Sequence, residues 1–465
     1  VRHRAEPTTA LPREVLTRER SEPPGSALEG ESISFLLLVV LAAALPFEST
    51  HPGLVFPLFV VTPLEALLYS FVLVWVLLRL AGRRLALPGT FRTAALAGFC
   101  AIQFVSAALA PIERLNAVKG AARLLSGGLL FVAAFDVLSS QARLRAVLWA
   151  FVAGGSLAAL LGTLEAWQVR DVADWLYRTF GFKPSDLMGI PRASGPLQDP
   201  NTLAMFLETV LATLLGLIAS RVWLAGTALV LTFTGLALTY SRAGLATAGL
   251  VVVLFCAGAR ALAWTRGRRA MMAGGAILAA VLSLMAVSST FFALRWSRQL
   301  PRRYVMDDVE RRELWAIAMR LVAENPLLGV GPDNFRLRYA AYVVRPDLGD
   351  TRKTAHSLYL ETAAGSGLVG LGLLLAFLGS WLRELRKRVP KLTSADERLL
   401  ALGLALAPGA VLLHGLVDNF LGRTGIFGAF WILLAASLRS AGVASGTETP
   451  RGDPGSRPLE SHVIC

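Results

Sequence analysis

The residues best suited to chemistry in this sequence are one histidine and a few arginines. His356 stands in Thr354-Ala355-His356-Ser357-Leu358-Tyr359-Leu360-Glu361, at the start of a long apolar run. A free imidazole titrates near neutrality, so a histidine there accepts a proton from a hydroxyl without special tuning. The plainer alternative is a helix-start histidine satisfied by its own cap. Arg192, in Pro191-Arg192-Ala193-Ser194-Gly195-Pro196, and Arg242, in Tyr240-Ser241-Arg242-Ala243-Gly244, also border apolar runs. At membrane depth a guanidinium is costly unless carboxylate, phosphate or backbone carbonyls pair with it. It holds phosphate through two parallel hydrogen bonds and never loses its charge. The alternatives are a structural pair, such as Arg192 with Asp199, or a side chain reaching out to the interface. Glu361, about one and a half turns beyond His356, suits orienting a partner or binding sugar. Asp418, Asn419 and Arg423 lie in a turn between two apolar runs and could contact a polar ligand, although a satisfied turn explains them too. Asp199 and Asn201 read as helix capping, His414 as a buried neutral histidine, and Trp315, Tyr304 and Tyr339 as an interfacial aromatic belt rather than as stacking surfaces for sugar.

The elements that must position these residues are helices in lipid. The chain has 465 residues, 54% of them apolar, with a mean hydropathy of +0.56. Segments such as Ala146–Leu164 are apolar on every side, which a soluble helix avoids. Lipid leaves no partner for an open backbone group, so the expected fold class is an all-α polytopic membrane protein. Twelve spans are expected, near 33–49, 62–82, 93–112, 117–138, 144–167, 201–220, 222–240, 243–263, 270–292, 357–382, 398–418 and 424–441. With a cytoplasmic N-terminus, the basic groups around Arg83, Arg143, Arg221, Arg266 and Arg383 all face inward, as orientation by positive charge requires. Residues 1–32 and 442–465 then read as disordered cytoplasmic tails. Two long loops, about 168–200 and 293–355, face outward from the transmembrane domain, 33–441. The net charge of +14 is largely explained by this orientation, so no nucleic-acid partner is expected. Three cysteines, two of them in apolar spans, suggest neither a disulfide framework nor a zinc site.

The larger outer loop, between spans nine and ten, is unusual in charge. From Ala293 to Thr354 it carries twelve Lys/Arg against eight Asp/Glu, on the face where basic residues normally thin out. A bound anion accounts for that better than topology does. Within it, Asp307–Glu324 has apolar Leu314, Ile317, Ala318, Leu321 and Val322 on one face of an amphipathic helix. Asn325-Pro326 stops it, Gly329, Gly331 and Pro332 make a turn, and a second helix is expected near Asn334–Val343. The loop reads as a helical cap over the membrane. No DxD, HExxH, P-loop or GxSxG motif is present, so metal-bound sugar nucleotides, zinc hydrolysis and ATP use have no support, and no cofactor is expected.

Four stretches, RASGPLQDPNTLA (192–204), YSRAG (240–244), NPLLGVGPDNF (325–335) and HSLYLETAAGSGLVG (356–370), resemble the O-antigen ligase/polymerase superfamily of bacterial inner-membrane glycosyltransferases. The ligase pattern of His, Asn/Ser/Gln, nine residues, Gly, two residues and Gly/Thr/Tyr is met by His356, Ser357, Gly367 and Gly370. The resemblance implies a multi-pass protein of the bacterial inner membrane that transfers a glycan from undecaprenyl pyrophosphate to lipid A-core on the periplasmic side, without metal or ATP. It implies His356 as general base, Arg192 and Arg242 as ligands of the diphosphate, and inversion at the anomeric carbon. Arg312 and Arg336 are weaker candidates for phosphate of donor or acceptor. Polymerases and protein O-oligosaccharyltransferases share these parts; a polymerase is expected to carry paired Arg-rich outer loops, and only one loop here is dense in arginine. A different class, an anionic-lipid transporter or flippase, would need polar residues continuing through several spans, whereas here they gather at the outer ends.

Overall fold

A computed structural model of the protein describes residues 24–57, 59–81, 87, 89–182, 185–187, 190–197, 199–218, 222–262, 302–343 and 353–442. The helices are, in chain order, α1 (Pro24–Ala44), α2 (Pro63–Leu80), α3 (Thr90–Ala108), α4 (Arg114–Val137), α5 (Gln141–Ala166), α6 (Arg170–Phe180) and α7 (Pro200–Leu217). They continue as α8 (Val222–Leu238), α9 (Arg242–Ala261), α10 (Arg302–Glu324), α11 (Phe335–Arg338), α12 (Leu358–Arg388), α13 (Ala395–His414) and α14 (Thr424–Ser440). Among the described residues, eight helices are long and apolar enough to cross a membrane, and three shorter apolar helices fall on further expected spans. The protein is thus an all-α, multi-pass membrane protein. The expected ninth span, 270–292, lies outside the described residues, as does most of each expected tail. The first helix reaches back to Pro24, into what composition marks as tail, because Ala27, Leu28 and Glu29 favour helix.

Helix ends follow local sequence. Thr62 and Glu65 close a capping box on α2, with Pro63 at the first helical position. Asp199 caps α7 by accepting from the amides of Asn201 (2.9 Å) and Thr202 (3.0 Å), as its sequence suggests. This helix is the centre of the bundle: 94% of its span is buried. It approaches α13 closely through Gly216 and Gly403, where a Cβ on Gly403 would lie 2.6 Å from the carbonyl of Ala212.

The two long loops carry more structure than their sequences advertise. The 168–200 loop holds the short helix α6, whose Leu176 and Phe180 are buried, and the hairpin of β3 (Ser185–Leu187) with β4 (Ile190–Arg192). A smaller antiparallel pair, β1 (Leu54–Val55) with β2 (Val60–Val61), precedes α2. In the cap, α10 runs Arg302–Glu324 and buries Leu314, Ile317, Ala318 and Leu321, as the amphipathic pattern requires. The expected second helix is shorter, a turn of α-helix over Phe335–Arg338 followed by a 3-10 turn over Tyr339–Tyr342. Tyr339 is not an interfacial residue: it is 1% exposed in the cap core, stacked on Phe335 at 6.0 Å.

The cap is fastened to the bundle by a break in α12. Ser366 and Gly367 are non-helical, Gly367 at φ 71° and ψ −175°, a conformation that only glycine adopts readily. The break frees the carbonyls of Ala364 and Gly365, and the amides of Val330 (2.8 Å) and Gly331 (2.9 Å) bond to them instead. The amide of Leu368 in turn donates to the carbonyl of Pro326 at 2.8 Å. Ser106 on α3 also donates to the Gly365 carbonyl at 2.8 Å. These opened backbone groups thereby regain partners, as a setting without water demands.

Candidate active site at the cap end

His356 lies just before α12, held in a left-handed backbone conformation at φ 45°. That is uncommon for a residue other than glycine and costs about 1 kcal/mol or more. Its carbonyl accepts from Trp315 Nε1 at 3.3 Å, so the cap helix α10 fixes the main chain while Ser357 caps α12 behind it. Its ring Nδ1 is 3.2 Å from Asp418 Oδ1. A carboxylate can only accept, so the proton of a neutral imidazole sits on Nδ1 and Nε2 keeps its lone pair. Burial alone would raise the pKa of Asp418, but the hydrogen bond and charge of His356, the charge of His414 and the amide of Asn419 hold it below the usual carboxylate range. Asp418 is therefore ionised at neutral pH, oriented by its own bond from the Asn419 amide at 2.8 Å.

This pair opens onto a cavity of about 1240 Å³. Of the residues singled out from sequence, His356, Arg192, Arg336, Glu361, Asp418 and Asn419 line it together. Arg192 comes from β4 and donates through Nε to the carbonyl of Thr239 at 2.8 Å. Glu361, in the first turn of α12, accepts from the Ala355 amide at 2.7 Å, which fixes the chain on the other side of His356. Arg336 donates to Asp333 (2.6 Å) and Asn116 (3.1 Å). Arg242 begins α9, three residues after Thr239, and Arg312 is exposed on α10; neither is among the residues lining this cavity. Asp199, besides capping, is 3.2 Å from Arg423, which also lines the cavity.

Sequence reasoning missed the wall supplied by α4. Asn116, Lys119 and Arg123 lie at i, i+3 and i+7 on one face of that helix and line the cavity. Arg123 pairs with Glu65 at 2.7 Å and donates to the carbonyl of Leu421 at 2.6 Å, tying α4 to the loop that carries Asp418. The available signal was two cations at the start of an expected span, which are expensive unless they face protein or water. His414, expected as a buried neutral histidine, is buried, beside an acid partner, Glu208, that its own neighbourhood in sequence does not show.

Fold and site together define a multi-helix membrane protein with a histidine–carboxylate pair in a cavity lined by arginines and carboxylates alike and walled in part by the helical cap. Residues 227–375 match the family described as O-antigen ligase. The match takes in Arg242, the cap, His356 and the break in α12; Arg192 and Asp418 lie outside it. No curated protein matches the chain.

Proposed function

We propose that this protein is an O-antigen ligase, transferring a glycan from undecaprenyl pyrophosphate to lipid A-core at the periplasmic face of a bacterial inner membrane. The observation that carries the reading is the His356–Asp418 pair opening into a cavity that Arg192 also lines. The acceptor hydroxyl loses its proton to His356 Nε2 as its oxygen bonds to the anomeric carbon of the donor. The bond from that carbon to the diphosphate oxygen breaks with its electron pair, and undecaprenyl diphosphate leaves from the opposite face, inverting the carbon. Asp418 stabilises the imidazolium that forms. Arg192 binds the diphosphate from the cavity wall, supplying positive charge where the leaving group gains negative charge; Arg242, outside the cavity lining but close in sequence to the Thr239 carbonyl that Arg192 holds, joins it once donor is bound, while Arg336 and, more remotely, Arg312 serve phosphate on donor or acceptor. Glu361 and Asn419 meet sugar hydroxyls.

The test is to incubate purified protein with undecaprenyl-pyrophosphate-linked glycan and lipid A-core, with EDTA and without ATP. Glycan-capped core is the expected product. Lengthened lipid-linked glycan with no capped core would replace the ligase by a polymerase.

A further inference from the structure

A buried acid–histidine pair lies deeper than the cavity and takes no part in the transfer as described. Glu208 is on α7 and His414 is the last residue of α13; Nδ1 of His414 is 2.7 Å from Glu208 Oε1, with side chains 1% and 0% exposed. Well-packed apolar residues of similar volume usually serve stability as well as such a pair or better. Glu208 Oε2 is moreover buried without a hydrogen-bond partner, so the pair is not fully satisfied. Packing strength is a poor reason for its presence.

Its position gives a better one. The carbonyl of His414 accepts from the amides of Val417 (3.0 Å) and Asp418 (3.1 Å), so the main chain of Asp418 hangs from His414. The amide of Leu358, two residues past His356, is shared between the carbonyls of Gly415 (2.8 Å) and Asp418 (3.1 Å). The loop 415–423 is held from α7 at both ends: Glu208 grips its start at His414, and Asp199 grips its end at Arg423, 3.2 Å away. Those two acids are about 13 Å apart along the helix, a rigid gauge that sets where the loop lies. We infer that Glu208 and His414 are positioning residues: through their hydrogen bond, α7 fixes the loop that holds Asp418 against His356. The inference rests on the reading of His356 and Asp418 given above.

The test is transfer of lipid-linked glycan to lipid A-core by wild type, Glu208→Gln, Glu208→Leu, Asp418→Asn and the double variant Glu208→Leu/Asp418→Asn, each with a thermal melt. A displaced base loses up to about 100-fold for a misplacement near 1 Å. Glu208→Leu should therefore lower kcat by roughly 10- to 100-fold with donor KM unchanged, and Glu208→Gln, which keeps an acceptor for His414, should restore most of it. In the Asp418→Asn background the same leucine should cost little more, because both act through one contact. Wild-type kcat in Glu208→Leu, or equal losses in both backgrounds, overturns the inference, as does a glutamine variant no better than the leucine. If Glu208→Leu does not fold, Glu208→Met takes its place under the same criteria. An active His356→Ala would remove the reading beneath it; an inactive His356→Ala beside a fully active Glu208→Leu would remove this inference alone.

Discussion

Replacing Asp418 by asparagine isolates the part of the site that orients the base. The side chain keeps an oxygen for the Asn419 amide, now at 2.8 Å, so the turn is retained. What is lost is the charge facing His356 Nδ1 at 3.2 Å. A hydrogen bond to a charged group contributes about 1.5–3 kcal/mol, equivalent to about 10- to 100-fold in rate. With the His356 side chain 32% exposed, solvent screening moves the expectation to the lower part of that range. Steady-state transfer with the donor varied should show kcat falling about tenfold or somewhat more while donor KM holds, since the carboxylate faces the histidine rather than the diphosphate. Asp418 has a depressed pKa in the folded protein, so its contribution is fully present above the unfolded value, about 3.9, and is lost only as pH falls through the lower folded value. Between pH 5 and 8 the variant should therefore lag wild type without a new ionisation from this residue. Undiminished kcat in Asp418→Asn would refute the orienting role.

Other perturbations test the surrounding structure. Burial raises the pKa of Glu48 against the lowering effect of the Thr424 and Gly425 amides and the charges of Arg123 and Arg423. The stability linked to it is present below the unfolded value, about 4.3, and lost as pH rises through the raised folded value, so Glu48→Gln should flatten the fall of Tm over that window; an unchanged pH dependence would count against it. Gly367→Ala places a Cβ 2.0 Å from the Leu327 carbonyl at φ 71°, so it should cost at least about 1–3 kcal/mol and loosen the cap, read as a lower Tm together with lost activity; a wild-type melt would show the break to be tolerant. Arg192→Ala should raise donor KM without lowering Tm, and Arg192→Lys should rescue poorly because an ammonium cannot grip phosphate bidentately. Arg242→Ala should also weaken donor use; a Tm that collapses with activity would favour a structural role for either arginine.

The bundle was legible because lipid enforces a simple rule: an apolar run long enough to cross becomes a helix, and the helices α2 to α5, α7 to α9 and α12 to α14 fall on expected spans. The cap helix was legible for a related reason, since Leu314, Ala318 and Leu321 recur at helical spacing. Local pattern did not show which loop residues meet. His356 and Asp418 are 62 positions apart, and nothing in either neighbourhood announces the other. The α4 wall was hidden because Lys119 and Arg123 sit inside a stretch read as a span, and the Glu208–His414 pair because each residue stands alone in its own apolar run. Tyr339 was misplaced because an aromatic near an interface and one inside a small cap look alike in sequence. The glycines of 356–370 stand out as a pattern, but their reason, a broken α12 whose freed carbonyls receive the 326–331 turn, is visible only in three dimensions.

The most direct measurement of the central claim is the single-turnover rate of glycan transfer to lipid A-core by His356→Ala, at a donor concentration that saturates wild type and with matched thermal melts. Loss of a general base should slow transfer by about 10²- to 10⁴-fold while donor binding persists. A His356→Ala protein that transfers at the wild-type rate would contradict the assignment of His356 as the base.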